Sequence, residues 1–145
     1  MISSTAKYAL RAVVHLGSQH DDFVGRTDIA EATCVPIDYL LKVLKVLVTA
    51  GLVESQPGPG GGYRLTESPE EMTTLQIVRA VDEIPRITEC PLGISDHENL
   101  CPLHQLLDDA SRLVEEAFQN ATVADLMPGR KRSRTCDFPI KRPQS

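Results

Sequence analysis

Apolar residues recur along this chain at two periods, and the periods divide it into elements. Ala9, Ala12, Val13 and Leu16 repeat at helical spacing behind Ser3 and Ser4, either of which can cap a first helix. Gly17 predicts the end of that helix. A polar stretch covers 18–26, and Thr27 is the expected cap of a short second helix over 28–33. Cys34 and Val35 make a brief turn, and Pro36 suits the first turn of a third helix. The apolar stripe of the third helix is Ile37, Leu40, Leu41, Leu44, Leu47 and Val48, and Gly51 ends it. Residues 52–55 and 62–66 then read as two strands around a Pro- and Gly-rich turn, 56–61.

Two short helices joined by a tight turn and followed at once by a hairpin form a winged helix-turn-helix. The third helix carries a polar face opposite its apolar stripe: Asp38, Tyr39, Lys42, Lys45 and Thr49. Such a face suits the edges of bases in a major groove, although an ordinary solvated helix face has the same pattern. In the hairpin, Gly58, Gly60 and Gly61 permit positive φ and a close approach of backbone to phosphate, and Arg64 supplies charge beside them. Thr27, Asp38, Tyr39, Lys42, Lys45, Gly58, Gly60, Gly61 and Arg64 are therefore the candidate DNA-binding residues. A nucleotide-binding loop is the weaker reading of the glycines, because the Lys-Ser/Thr of a P-loop is missing.

Past the hairpin, Thr73 or Thr74 caps a fourth helix bearing Leu75, Val78 and Val81, which Pro85 ends by Ile84. A loop leads from there into a long helix with Pro102 in its first turn, which places Cys101 at the N-cap. The helix dipole favours negative charge at that position. His104 lies three residues on, on the same face, so the two side chains converge, and Cys90 enters from the loop as a third donor. Leu103, Leu106, Leu107, Ala110, Leu113, Val114, Ala117, Phe118 and Ala121 form a stripe too long for one small domain to cover, so a second subunit is expected against it. Burial within its own chain is the rival arrangement. Thr122 caps a last short turn through Leu126.

Composition adjusts this picture in three places. The 145 residues suit one compact domain with an added element, and aromatic residues are only 4%, too few for a surface that stacks unpaired bases. No apolar run is long enough to span a membrane and no signal-peptide pattern opens the chain, so a cytoplasmic protein is expected, with no membrane partner. The net charge of −5 taken alone argues against nucleic acid. It is uneven, however: residues 1–66 are neutral, 67–128 carry a net −10, and 129–145 a net +5. The basic tail reads as disordered, and the acidic middle lies away from the reading helix. Four cysteines in a cytoplasmic chain point to metal or redox chemistry before disulfides.

The chain resembles the IscR/NsrR/CymR group of Rrf-type bacterial winged-helix regulators. The likeness rests on Lys7-Tyr8-Ala9-Leu10-Arg11-Ala12, Ile29-Ala30-Glu31-Ala32, Tyr39-Leu40, Gly51-Leu52-Val53 and, most specifically, Gly58-Pro59-Gly60-Gly61-Gly62-Tyr63. It runs over roughly residues 1–127. The resemblance implies homodimeric DNA-binding regulators, many of which hold an iron–sulfur cluster and respond to cluster status, nitric oxide or redox state. Cluster-bearing members place three cysteines in the loop before the long helix, some with a histidine three residues after the last. Cys90, Cys101 and His104 match the outer positions. The middle cysteine is absent, and Asp96, His97 and Glu98 stand in its neighbourhood, with His97 the best substitute donor. In some relatives the first helix of the partner subunit supplies a further ligand; Tyr8 and Ala12 are poor candidates for that role, and His15 is the only nearby imidazole. Two further departures are Pro57, where the family usually has a basic residue, and Cys34, where it often has glycine. Cys34 is expected to be a small buried hydrophobe in the turn.

These readings combine into a mainly α fold with a small β-hairpin. The divisions are 1–83, the winged helix-turn-helix; 84–101, the sensor loop; 102–127, a dimerisation helix; and 128–145, a basic tail that contains Cys136. The expected protein is a homodimeric repressor, not an enzyme, that binds double-stranded DNA at a near-palindromic operator. A [2Fe–2S] cluster on Cys90, Cys101 and His104, with the fourth ligand open and His97 a candidate for it, would sense the signal. The alternatives are a zinc ion on the same donors, or a cluster-free regulator that uses thiols or a partner protein.

Overall fold

The computed structural model describes residues 2–86 and 101–128. Their order is α1 (Ser4–Ser18), α2 (Arg26–Thr33), α3 (Ile37–Thr49), β1 (Val53–Gln56), β2 (Gly62–Leu65), α4 (Thr74–Val81), α5 (Pro102–Gln119) and a 3-10 turn, Ala124–Leu126. This is the expected mainly helical chain with one hairpin. Cys90, His97 and the basic tail from residue 129 lie outside the described residues.

Helix α1 is the centre of the core. The Ser3 hydroxyl accepts from the Ala6 N–H and caps it. Ala6, Ala9, Ala12, Val13, Val14 and Leu16 are all fully buried beneath α2, α3 and α4. The helix ends at Ser18, one residue past Gly17, as expected. A Cβ at Gly17 would press on Val123, Met127 and Pro69, so the glycine makes room for the returning C-terminal segment. That segment is fastened by backbone hydrogen bonds from Val123 to the Met72 carbonyl and from Ala124 to the Pro69 carbonyl, both 2.9 Å. Val123 and Ala124 thus belong to the same core as α1.

Helix α3 buries Leu40, Val43, Leu44 and Leu47, while Ile37 at its start is exposed, against expectation. Pro36 lies one residue outside, at the N-cap. Helix α2 begins one residue before Thr27, which is therefore not its cap; Gly25 takes that place with no side-chain hydrogen bond. Cys34 is the left-handed residue of the helix-turn-helix (φ 56°, ψ 33°), a conformation that disfavours a Cβ. Its thiol is exposed rather than buried, because the left-handed turn directs it away from the core filled by Ile29 and Val35.

The wing pairs β1 and β2 antiparallel, with Glu54 opposite Arg64 and Gln56 opposite Gly62. Its third element was not legible in the sequence. Val24, in the polar stretch, exchanges two backbone hydrogen bonds with Tyr63, at 2.8 and 2.9 Å. Gly62, at φ 146°, sits directly over the Val24 carbonyl where no Cβ fits. Helix α4 opens on a full capping box between Thr73 and Gln76. Gly62→Ala is expected to release Val24 from the wing: amide hydrogen exchange at Val24 and Tyr63 should lose its protection, and the melting temperature should fall. Unchanged protection at both amides would show that the close approach is not a constraint.

Candidate nucleic-acid interface and sensor site

Two regions carry chemistry: the outer face of α3 with the wing, and the first turn of α5.

On α3 the buried leucines hold one side against α1, and this turns Asp38, Tyr39, Lys42, Lys45 and Thr49 outward; all five are exposed. Tyr39 is 55% exposed. Thr27 is likewise exposed. In the wing, Gly58 and Gly60 at the tip have positive φ and nothing crowding them, and Gly61 lies against the Gln56 carbonyl. Arg64 is engaged within the wing. Its Nη2 lies 2.7 Å from Glu54 Oε1, and its guanidinium carbon sits 4.2 Å from the centre of the Phe23 ring. Both partners of the pair are partly exposed, so the bridge contributes about 0–1 kcal/mol. A phosphate could replace Glu54 at small cost. Glu54 and Phe23 were missed in the sequence; the hairpin register that sets Glu54 across from Arg64 was the available signal.

At α5, Cys101 is the N-cap and Pro102 the first helical residue, as the spacing predicts. The Cys101 thiol does not cap a backbone N–H; its Sγ lies 2.9 Å from His104 Nδ1. A thiol sulfur and an imidazole nitrogen brought this close are donors that suit iron or zinc. Among the described residues no group of three or more His, Cys, Asp or Glu side chains is arranged to hold a metal ion. Cys101 and His104 are the two predicted donors that the described residues bring together, and Cys90 and His97 fall outside the described residues. His15, the nearby imidazole on α1, is buried.

Helix α5 has no fully buried residue. Leu103 and Leu106 are 61% and 65% exposed, and Leu107 and Leu113 are also open. Its own domain holds it along a different line. Arg86, just before the loop, donates to both oxygens of Asp108 at 2.7 and 2.9 Å and also reaches Glu115 at 3.4 Å; Arg79 of α4 meets Glu115 at 3.3 Å. The hydrogen bond to Asp108 raises the pKa of Arg86 further above its ordinary value. At the far end of α5 the Thr74 hydroxyl donates to the Phe118 carbonyl at 2.7 Å and the Thr74 N–H to the Ala121 carbonyl at 2.8 Å. Neither clasp was foreseen, since long-range arginine pairing leaves no local pattern.

A third fastening joins the start of α1 to the end of α4. The Ser3 N–H donates to Asp82 at 2.9 Å, and the Glu83 N–H donates to the same carboxylate at 2.9 Å. The hydrogen bond from the Ser3 backbone, followed by that of its hydroxyl and of Glu83, lowers the Asp82 pKa.

The fold and the polar face of α3 define a winged-helix transcription regulator. The chain belongs to the Rrf2 family of iron-dependent transcriptional regulators, whose model matches residues 2–129. It is similar to BadM of Rhodopseudomonas palustris, with 34% identity over 118 residues, 81% of this chain and 75% of that one. It is also similar to the HTH-type transcriptional regulator IscR of Photobacterium profundum, 33% identical over 129 residues, 87% of this chain and 74% of that one. Among solved structures, CymR, the global cysteine regulator of B. subtilis, superposes with a TM-score of 0.74 at 25% identity, over 87% of this chain and 95% of that one. These relatives are regulators of transcription and not enzymes. No helix among the described residues is long and apolar enough to cross a membrane.

The lowered pKa of Asp82 fixes the sign of one pH effect. A carboxylate whose pKa is lower folded than unfolded adds stability above the unfolded pKa, and that stability disappears as pH falls through the folded value. Asp82→Asn is therefore expected to lower stability at neutral pH and to leave a flatter decline below about pH 4. Urea midpoints measured from pH 2 to 7 test this; parallel curves for variant and parent would remove Asp82 from the acid response.

Proposed function

We propose that the protein is a homodimeric repressor in which α3 of each subunit enters successive major grooves of a near-palindromic operator. Cys90, Cys101 and His104, with His97 as the fourth donor, hold a [2Fe–2S] cluster that governs its affinity. The observation that carries this reading is the double character of α5. Its first turn brings a thiol and an imidazole to 2.9 Å, and the same helix offers an uncovered leucine face. A second copy covers that face, with Leu103, Leu106, Leu107 and Leu113 packed across the two-fold axis. When bound, such a cluster supplies one-electron redox chemistry and reactivity toward nitric oxide. The chain's own contribution is to fix two donors at one end of the helix that joins the subunits, so that a change in the donor set tilts α5 and shifts the spacing of the two reading helices. Tyr39, Lys42 and Lys45 contact the groove and its phosphates, with Asp38 and Thr27 at the edges. Gly58, Gly60, Gly61 and Arg64 bring the wing to the neighbouring backbone. The donors also suit zinc, and the loss of the middle cysteine of the family pattern favours a cluster-free thiol regulator as the second reading. The site of action is the cytoplasm.

Protein purified without oxygen is expected to absorb in the visible and to carry about two iron and two sulfide per subunit, as a [2Fe–2S] centre requires. A colourless protein free of iron and sulfide would refute the cluster, and stoichiometric zinc would establish the alternative. Lys42→Ala and Lys45→Ala should each weaken operator binding and lower the slope of log affinity against log salt by about one for each phosphate no longer neutralised. Binding that stays normal in both variants would take α3 out of the interface.

A further inference from the structure

We propose that α1 forms part of the DNA-reading surface: Tyr8 is the positioning residue that orients Tyr39, and Arg11 supplies a phosphate contact beside it. The inference rests on the reading that α3 enters the major groove, and it adds residues from a helix outside the helix-turn-helix.

Four side chains, two aromatic rings flanked by two cations, cross the seam between α1 and α3. The Arg11 guanidinium carbon lies 5.9 Å from the centre of the Tyr8 ring. The Tyr8 ring meets that of Tyr39 edge to face, with centroids 5.9 Å apart and planes at 61°. The Lys42 ammonium lies 5.8 Å from the centre of the Tyr39 ring. Tyr8 and Arg11 are three residues apart on α1, which puts them on one face. Tyr8 is half-buried and packs on the hydrophobic core, so its ring is a fixed reference, whereas Tyr39 is the exposed member.

This arrangement has two consequences for binding. A tyrosine that projects freely from a helix loses rotamer freedom when it is docked; one already held edge-on by a core-anchored ring has lost much of it beforehand. Tyr39 is therefore presented in one orientation, which is the requirement for discriminating between base edges rather than only adding contact area. The second consequence concerns charge. Among the described residues no ion pair uses Arg11 or Lys42, and each lies against an aromatic ring instead. An aromatic face holds a cation in place without neutralising it. Arg11 and Lys42 thus flank the two rings as charges available to phosphate oxygens, in contrast to Arg64, which Glu54 already engages. In a reading unit of zero net charge this local concentration matters, since the rest of its surface supplies little attraction.

The test uses the full chain and a duplex that the parent protein selects from a random pool, with a scrambled duplex of equal length as the non-specific probe. Binding is measured by anisotropy across a salt series for Arg11→Ala, Tyr8→Leu and Tyr8→Phe, with Lys42→Ala as the control for α3. Leucine keeps the apolar contact with the core and removes the ring; phenylalanine keeps the ring. Arg11→Ala should weaken both duplexes alike and lower the salt slope by about one per subunit. Tyr8→Leu should cut the ratio of specific to non-specific affinity roughly 3- to 10-fold with the slope unchanged, and Tyr8→Phe should restore it. Heteronuclear spectra of Tyr8→Leu should show the Tyr39 ring resonances moved and the rest of the fold retained. An unaltered specificity ratio in Tyr8→Leu, or an unaltered slope in Arg11→Ala, would overturn the proposal. If Lys42→Ala also binds normally, or no duplex is enriched, the groove-reading role of α3 fails first; if Lys42→Ala weakens binding while the α1 variants do not, only this proposal fails.

Discussion

The closeness with which other elements approach α1 depends on side chains that are barely there. Ala6, Ala9 and Ala12 let α2, α3 and α4 press against this helix, and Gly17 admits Val123 and Met127 at its end. Larger residues at these positions would push α3 outward and would loosen the segment that returns after α5. Burial of Leu40, Leu44 and Leu47 then fixes the rotation of α3, and removing any one of them costs about 2–5 kcal/mol in comparable cores. The outward face of α3 is thus a by-product of a tightly packed inner one. The same logic holds in the wing, where Gly62 allows Val24 to pair with Tyr63 and so ties the hairpin to the loop after α1.

How much of this was legible can be read from particular residues. The helical stripe of α3, the capping signal at Thr73, the proline at the start of α5 and the wing glycines are local patterns, and local patterns determine local structure. The Cys101–His104 contact was equally legible, since three residues on a helix place two side chains together. Gly17 marks the end of α1 to within one residue, but the space it leaves for Val123 and Met127, more than a hundred residues on, has no local signal. The misreadings have separate causes. Cys34 looked buried because free cysteine usually is, yet the left-handed turn it occupies directs the thiol outward. Ile37 looked like core because the spacing carries no information on where the partner helices stop. The Val24 bridge and the Arg86 clasp have no sequence signal at all, because both pair residues across long stretches of chain.

Charge shows the same division between sum and arrangement. Part of the acidic middle of the chain is engaged in specific contacts: Asp82 holds two backbone N–H groups, Asp108 and Glu115 hold Arg86 and Arg79, and Glu116 pairs with Arg112 one turn away. These carboxylates organise α5 and its attachment. The cations of the reading unit differ among themselves in the same manner, with Arg64 internally paired and Lys42 resting on a ring.

The return of residues 121–127 across Gly17 also bears on how the molecule comes to be folded. The central helix is synthesised about a hundred residues before the strip that seals its end. Contacts of such high sequence separation close late, after the entropy of a long intervening loop has been overcome. A nascent chain that has only emerged through the wing therefore holds α1 with one side open, and the reading domain is completed only after α5 has formed and turned back. Assembly of the helix that carries Cys101 and His104 and completion of the core around α1 are, on this topology, a single folding event.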